Sequence, residues 1–204
     1  MTGLRARHKA DRTRRMQEAA ARLFREAGYG AARMEDIAAA ADVSVGTLYN
    51  YFETKGDLLL AIVSMEVEEV LTEGALALAS PSDDPSEALD ALIGRYYDHS
   101  LVYLSKATWR TAMALSIEAP DTPFSQRYTQ LDRMLTAQVC DMIGALQQQG
   151  KLKAGVPAKV VGEVVFNNLN QMFIEFVKSD DMDIATLRAA VRQQTALIVG
   201  ALAD

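Results

Sequence analysis

The 204-residue chain has a single cysteine, Cys140, and two histidines, His8 and His99. One cysteine cannot form an internal disulfide and cannot supply a thiolate cage for a metal ion. Neither histidine has the glutamate or histidine spacing of di-iron or zincin helices, and no glycine-rich phosphate loop follows a strand. Asp98 and His99 are neighbours, about 100° apart on a helix, and form no relay by themselves. We therefore expect no enzyme activity, no catalytic residue, no metal and no cofactor.

Long apolar runs are also missing. The longest unbroken apolar run is Leu58–Val63, which has six residues, whereas a helix needs roughly 20 to cross a bilayer. The N-terminus is rich in arginine and lacks the apolar stretch of a secretory signal. We expect a soluble, cytoplasmic protein with no membrane partner.

The charges are unevenly distributed. The chain has a net charge of −6, yet residues 1–33 carry nine Lys or Arg against three acidic residues, a net charge of +6. The other 171 residues carry a net charge of −12. A basic N-terminal end on an acidic body favours one surface that binds a polyanion, although a solvated basic helix would give the same count.

Helical periodicity covers the chain, and no segment alternates as a strand does. The fold class is therefore all-α with about nine helices. The spacing of apolar residues, with the capping and loop residues, predicts helices over about 12–27, 34–41, 44–52, 55–79, 86–104, 106–118, 123–149, 157–178 and 183–202.

The second and third helices form a motif with the long first helix. They are short and are joined by the turn Asp42-Val43-Ser44, which is the arrangement of a helix-turn-helix. The alanines at 38–41 allow the two helices to cross closely. The outer face of the third helix is small or hydrogen-bonding and has no acidic residue, as a helix entering the major groove requires. A generic three-helix packing unit is the alternative.

The segment 34–60 contains Ile37-Ala38, Val43-Ser44, Gly46-Thr47-Leu48-Tyr49, Tyr51-Phe52 and Lys55 with Leu58-Leu59. With these residues at these spacings, it resembles the DNA-binding segment of tetracycline-repressor (TetR) family regulators. The resemblance covers roughly the first 60 residues. It implies an N-terminal helix-turn-helix DNA-binding domain over 1–55 and a helical ligand-binding and dimerisation domain over 56–204. It also implies a homodimer, usually a repressor, that a ligand releases from a palindromic double-stranded DNA operator.

The resemblance also implies DNA contacts at particular positions. Phosphate contacts fall on Ser44, Tyr49 and Lys55, while Tyr51 and Phe52 are expected to pack. The residues expected to face the groove are Val45, Gly46, Thr47 and Asn50.

Two positions depart from the family pattern. Arg33 stands where the family commonly has a threonine that caps the second helix; arginine cannot cap in that way, but it can reach a phosphate. Asp42 stands where glycine is frequent, and aspartate tolerates the left-handed conformation that the turn needs.

A basic arm of Arg5, Arg7 and Lys9 precedes the predicted first helix. It either contacts the minor groove or backbone of DNA or is a solvated tail that adds only diffuse attraction.

The last two helices carry more apolar surface than one core uses. The helix 157–178 is apolar on more than one face, so we expect a homodimer through the last two helices. A monomeric core is the alternative.

A pocket between the middle helices is expected to bind a small, largely apolar effector. An ordinary core would use the same aromatic and methionine residues. Two other functions stay open: a DNA-binding regulator without ligand response, and a helical small-molecule-binding protein without operator function. The predicted pocket residues are Tyr103, Trp109, Met113, Phe166, Asn170 and Phe173.

Overall fold

The computed structural model describes residues 2–203, apart from the side chains of Thr2, Leu4 and Arg5. All regular structure in this range is helical, so the predicted all-α class with nine helices is confirmed. The helices are α1 Thr2–Glu26, α2 Met34–Ala40, α3 Val45–Tyr49, α4 Lys55–Ala79, α5 Pro85–His99, α6 Lys106–Glu118, α7 Pro123–Gln148, α8 Ala158–Lys178 and α9 Ile184–Leu202.

Side-chain caps set where several helices begin. The Ser44 hydroxyl accepts from the Thr47 amide at 3.1 Å and starts α3. At the start of α4, the Thr54 hydroxyl accepts from the Asp57 amide at 3.0 Å, while the Asp57 carboxylate accepts from the Thr54 amide at 2.8 Å. Such reciprocal bonds satisfy two amides that have no partner inside the helix. Further caps are Asp84 for α5, Ser105 for α6 and Asp183 for α9.

Three predicted boundaries are wrong. Helix α3 ends at Tyr49 rather than near residue 52, with Asn50 as its C-cap. Helix α1 begins at Thr2 rather than near residue 12, so the expected arm is helical at Arg7 and Lys9, and the side chain of Arg5 lies outside the described residues. Periodicity could not show this extension because the first fifteen residues present no apolar stripe. Helix α5 ends at His99 rather than near residue 104, because a non-helical segment follows it and Ser105 then caps α6.

The chain divides into two compact units. One contains the chain up to Met65 together with Val102–Tyr128, and the other contains Glu66–Leu101 and the chain from Thr129 onward. Helices α4 and α7 contribute residues to both units. The functional boundary at residue 55 stays a prediction.

The first unit is built around α1. Met16 and Phe24 are almost fully buried, as are Ile37 of α2 and Leu48 of α3. Each such side chain stabilises the folded state by about 1.5–3 kcal/mol through its removal from water. Because the inward side of α3 is fixed by Leu48, the opposite side of this short helix is held outward.

The second unit contains a close crossing of α7 and α8. A Cβ atom added to Gly162 would lie 2.6 Å from the Cα atom of Cys140, so only glycine allows these backbones to approach as they do. Large buried side chains of this unit are Leu89, Leu92 and Phe176. Over residues 2–203, no helix combines the length and the hydropathy that crossing a bilayer requires.

Candidate functional site

The turn between α2 and α3 forms as predicted with aspartate in place of glycine. Asp42 has φ +55°, which is the left-handed region, and a short polar side chain tolerates it better than a branched one. The next amide, of Val43, donates to the Ala38 carbonyl at 3.0 Å. This hydrogen bond helps to fix the angle between α2 and α3.

The outer face of α3 is open. Val45 is 37% exposed and Tyr49 is 43% exposed, and Ser44, Gly46 and Asn50 are exposed as well. A Cβ atom added to Gly46 would meet no atom within 4 Å. The predicted groove-facing residues therefore lie together on a surface that can approach a duplex.

The hydroxyl groups of Ser44 and Thr47 are joined at 2.8 Å. Because the Ser44 oxygen also accepts from the Thr47 amide, the cap orients the Thr47 side chain. Thr47 is only partly exposed. A base edge or a phosphate would compete with this internal hydrogen bond.

Lys55 has a structural role as well as the predicted one. Its ammonium donates to the carbonyls of Gly30 at 3.0 Å and Ala32 at 3.2 Å, and it lies 4.6 Å from the centre of the Tyr29 ring. Burial and the nearby Asp57 carboxylate raise the pKa of Tyr29, so its ring stays neutral. An ammonium group has three donors, which leaves one for the predicted phosphate contact.

Arg33 occupies the N-cap position of α2 and makes no capping hydrogen bond, as predicted. Its guanidinium lies 3.7 Å from the Glu35 carboxylate, and both side chains are exposed. An exposed pair of this kind contributes little to stability. The guanidinium is therefore available to a phosphate at the cost of a weak ion pair.

The predicted effector residues are divided between the units. Tyr103, Trp109 and Met113 belong to the first unit, and Phe166, Asn170 and Phe173 belong to the second. Trp109 and Phe166 are buried, and the other four are half-buried.

In the first unit, Tyr103 lines a surface groove of about 330 Å³ together with residues of α1. The Tyr103 hydroxyl accepts a hydrogen bond from Arg14 at 3.2 Å. In the second unit, Phe173 stacks on Tyr97 with ring centres 6.1 Å apart and on Phe176 at 5.9 Å. Tyr103 thus has a hydrogen-bond partner and Phe173 has stacking partners within their own units, and the ligand role of both residues stays a prediction.

Sequence reasoning missed a buried amide that joins three helices. Gln138 of α7 accepts from the Tyr96 hydroxyl of α5 at 2.7 Å and donates to the Leu71 carbonyl of α4 at 2.8 Å. Its side chain lies against Gly74, where a Cβ atom would collide with it. The glycine in the middle of an otherwise good helix was the only signal.

His99 is an ion-pairing residue with a mostly buried side chain. Its Nδ1 atom lies 2.7 Å from the carboxylate of buried Glu66, and its Nε2 atom lies 3.4 Å from that of Glu69. Burial alone would lower the pKa of His99, but the hydrogen bond and charge of Glu66, with Glu69 and Glu73, outweigh it and raise the pKa.

A second titratable group of this unit is Asp132 on α7. Burial raises its pKa to about 6. Among the described residues, no group of histidine, cysteine and carboxylate side chains could hold a metal ion.

The asparagines of α8 differ in their surroundings. Asn168 donates to Gln194 of α9 at 2.9 Å, which joins these two helices within one chain. Asn167 is exposed and Asn170 is half-buried. Of these three asparagines, only Asn167 is exposed on the outer surface.

Comparison with known proteins gives the same assignment for the N-terminal region. Residues 18–62 match the family model described as bacterial regulatory proteins, tetR family. The chain is 33% identical over 85 residues to the HTH-type transcriptional repressor KstR of Rhodococcus jostii, and this alignment spans 42% of the chain but only 39% of the length of KstR.

Two further similarities extend over most of the chain. It is 25% identical over 183 residues to the fatty acid metabolism regulator protein of Bacillus subtilis, covering 85% of the chain and 88% of that protein. The structure of the transcriptional regulator FadR from Bacillus subtilis in complex with stearoyl-CoA is similar with a TM-score of 0.69 and 19% identity, over 92% of this chain and 98% of that one. At that identity the structural likeness shows the fold.

Proposed function

We propose, on the premise that the chain belongs to the tetR family of bacterial regulatory proteins, that it is a DNA-binding transcriptional regulator released from a palindromic operator by a small effector. The observation that carries this proposal is the open outer face of α3, where Val45, Gly46 and Tyr49 are exposed while Leu48 is buried. The family match over residues 18–62 supports it.

In the proposed complex, α3 enters the major groove. Gly46 allows the backbone to approach closely, Thr47 and Asn50 contact base edges, and Val45 contacts an apolar edge such as a thymine methyl. Ser44, Tyr49, Arg33 and Lys55 contact phosphates on either side, which positions the helix without reading sequence.

Selection of random duplex DNA on the purified protein tests this proposal. We expect enrichment of a palindromic site, bound with an affinity that falls steeply with salt concentration. Weak binding to every duplex, with no enrichment at several salt concentrations, would contradict operator function. It would favour the alternative, a small-molecule-binding protein without an operator.

We also propose that the active form is a homodimer through α8 and α9. Exposed residues recur along α8 at spacings of three and four, with Val160 at 48% and Val164 at 52% exposure, followed by Asn167. On α9, Leu197 is 77% exposed beside the small residues Ala196 and Gly200. Such faces allow close helix contacts between two copies, and two-fold symmetry matches a palindrome.

The dimer is tested by Val164→Asp, which places a charge in the proposed interface. We expect a monomer in light scattering at micromolar concentration, while Leu76→Asp, at a site 70% exposed on α4, leaves the dimer intact. A wild-type particle of 22 kDa would overturn the proposal.

The effector is proposed to be largely apolar, and long-chain acyl thioesters are the class to test first. The structurally similar FadR of Bacillus subtilis is in complex with stearoyl-CoA. The predicted contacts Trp109, Met113, Phe166 and Phe173 are apolar, as an acyl chain requires.

Release follows from differential affinity for two states of the dimer. About 5.5 kcal/mol of preference would convert an almost fully DNA-competent dimer into an almost fully incompetent one. Paired recognition helices must meet half-sites roughly 34–36 Å apart, so a small change in their separation prevents simultaneous docking.

Titration calorimetry with stearoyl-CoA, coenzyme A and stearate separates the chemical parts of such an effector. We expect binding of stearoyl-CoA and loss of DNA binding at the same concentrations. Specific DNA binding that none of a broad set of metabolites relieves would instead indicate a ligand-independent regulator.

A further inference from the structure

The first fourteen residues of α1 extend beyond the core of its unit. Among the described side chains of this helix, Met16 is the first that is buried, and Arg7, Lys9, Arg12 and Arg15 are all exposed. At 1.5 Å per residue, fourteen helical residues before Met16 extend for about 21 Å. The described basic side chains before Met16 are all exposed, so burial in the core does not explain why a helix so long and so basic is present.

Only some of the charges of this extension stabilise the helix itself, as Arg14 does through an ion pair with Glu18 at 2.8 Å. The first turn of α1 has no acidic residue, and cations near a helix N-terminus oppose the helix dipole. Arg15 has a weak partner in Asp11 at 3.7 Å, whereas Lys9 and Arg12 form no ion pair among the residues that the structure describes. A compensating negative charge is therefore expected from outside the chain.

The position of Lys9 shows which way this basic surface faces. Its ammonium lies 6.0 Å from the centre of the Tyr51 ring, two residues beyond the end of α3. Lys9 and Met16 are seven residues apart, and Arg12 and Met16 are four apart, so both basic residues continue the buried stripe of α1 on the same face. The face of α1 that is apolar in the core is therefore basic where it passes α3, the candidate DNA-reading helix.

We propose that Lys9 and Arg12 form a phosphate-binding extension of the DNA interface and contact the backbone of the strand that borders the groove occupied by α3. This inference rests on the proposed function. A helix in the major groove is about as wide as the groove itself, so a cation beside the end of α3 lies next to the bordering phosphates. The occupant is double-stranded DNA because the surface is continuous with the α3 face and has the complementary charge.

The test compares two double variants that remove the same charge. Lys9→Gln/Arg12→Gln changes the proposed surface, and Arg22→Gln/Lys178→Gln removes two exposed cations, one from another side of α1 and one from α8. Glutamine keeps a high helix propensity, and circular dichroism checks that both variants fold. Binding to the selected operator is then measured from 50 to 300 mM salt, with the wild-type protein as reference.

We expect Lys9→Gln/Arg12→Gln to weaken binding at least about tenfold at 0.1 M salt and to reduce the slope of log affinity against log salt by about 4, since each lost phosphate contact removes about one and the dimer loses two contacts in each subunit. The control variant should keep a slope near that of the wild type. Equal slopes in all three proteins, or equal losses in the two variants, would overturn the extension while leaving operator binding established. Absence of a selected operator for the wild type would instead contradict the proposed function itself.

Discussion

The ammonium of Lys55 lies over the ring of Tyr29, 4.6 Å from its centre, and so fastens the start of α4 to the loop after α1. A residue predicted from family resemblance to contact DNA is thus also a fixed part of the protein. The two functions of Lys55 can be separated by measurement. A phosphate contact changes the salt dependence of DNA binding, whereas the contact with Tyr29 changes the stability of the fold.

Replacement of Lys55 by methionine should destabilise the fold by about 1–2 kcal/mol, through loss of a cation–π contact and of hydrogen bonds from a charged donor. Thermal unfolding measures this loss. If the third donor contacts a phosphate, the salt slope of operator binding should also fall by about 2, one for each subunit of the dimer. Lys178→Met, at an exposed site on α8, serves as the control. A stable variant with an unchanged slope would contradict both functions.

Gly46→Ala should separate DNA binding from stability. Helical glycine is less favourable than alanine by about 0.5–1 kcal/mol, and the new methyl group would meet no protein atom within 4 Å. We therefore expect an equal or higher melting temperature together with weaker operator binding, because the methyl group lies between α3 and the groove. Unchanged affinity in a gel-shift titration would show that the backbone at Gly46 does not approach DNA.

Gly162→Ala, in contrast, should destabilise the fold. Its methyl group would collide with the Cys140 backbone, so α7 and α8 must separate, and overpacking of this kind typically costs about 1–3 kcal/mol. Gly144→Ala is the matched control on α7, since the added carbon would lie 3.7 Å from the Ala158 side chain, an ordinary contact. Denaturant unfolding of both variants gives the comparison. Equal midpoints would mean that the crossing tolerates a wider separation.

Asp132 should make stability depend on pH in a defined range. Its folded-state pKa is about 6 because of burial, above the ordinary value for an aspartate in the unfolded chain. An acid with a raised pKa contributes stability that is fully present below its unfolded pKa and is lost as pH rises through 6. Asp132→Asn should therefore raise the unfolding free energy at pH 7, by up to about 3 kcal/mol.

The advantage of Asp132→Asn should disappear near pH 4, where the wild-type carboxyl group is protonated in the folded protein. Melting temperatures between pH 4 and 7 test this, with Asp141→Asn on the exposed side of α7 as the control. If Asp132→Asn is no more stable than the wild type at pH 7, burial of the ionised Asp132 carboxylate does not destabilise the folded protein.

The helix-turn-helix was predictable because its determinants are local. The Ser44 cap, the left-handed Asp42 and the inward Leu48 each act within a few residues, and Asp42 adopts the left-handed conformation as expected. The start of α1 was not predictable, because its extension has charges where periodicity needs apolar residues.

Contacts between distant segments were beyond sequence reasoning for a different reason. Gln138 is one of several glutamines on α7, and its bonds to Tyr96 and Leu71 join positions 42 and 67 residues away. The ion pair of His99 with Glu66 spans 33 residues. A single sequence carries no register between such helices, so the buried polar groups of the second unit could not be located before the helices were packed.

The buried position of Trp109 on α6 has a practical consequence. It is the only tryptophan among the 204 residues, and it is 6% exposed. Excitation at the red edge of protein absorbance therefore reports one helix of the first unit and nothing else. Its emission wavelength and quenching by iodide would show directly whether an effector changes the surroundings of α6, without any label on the chain.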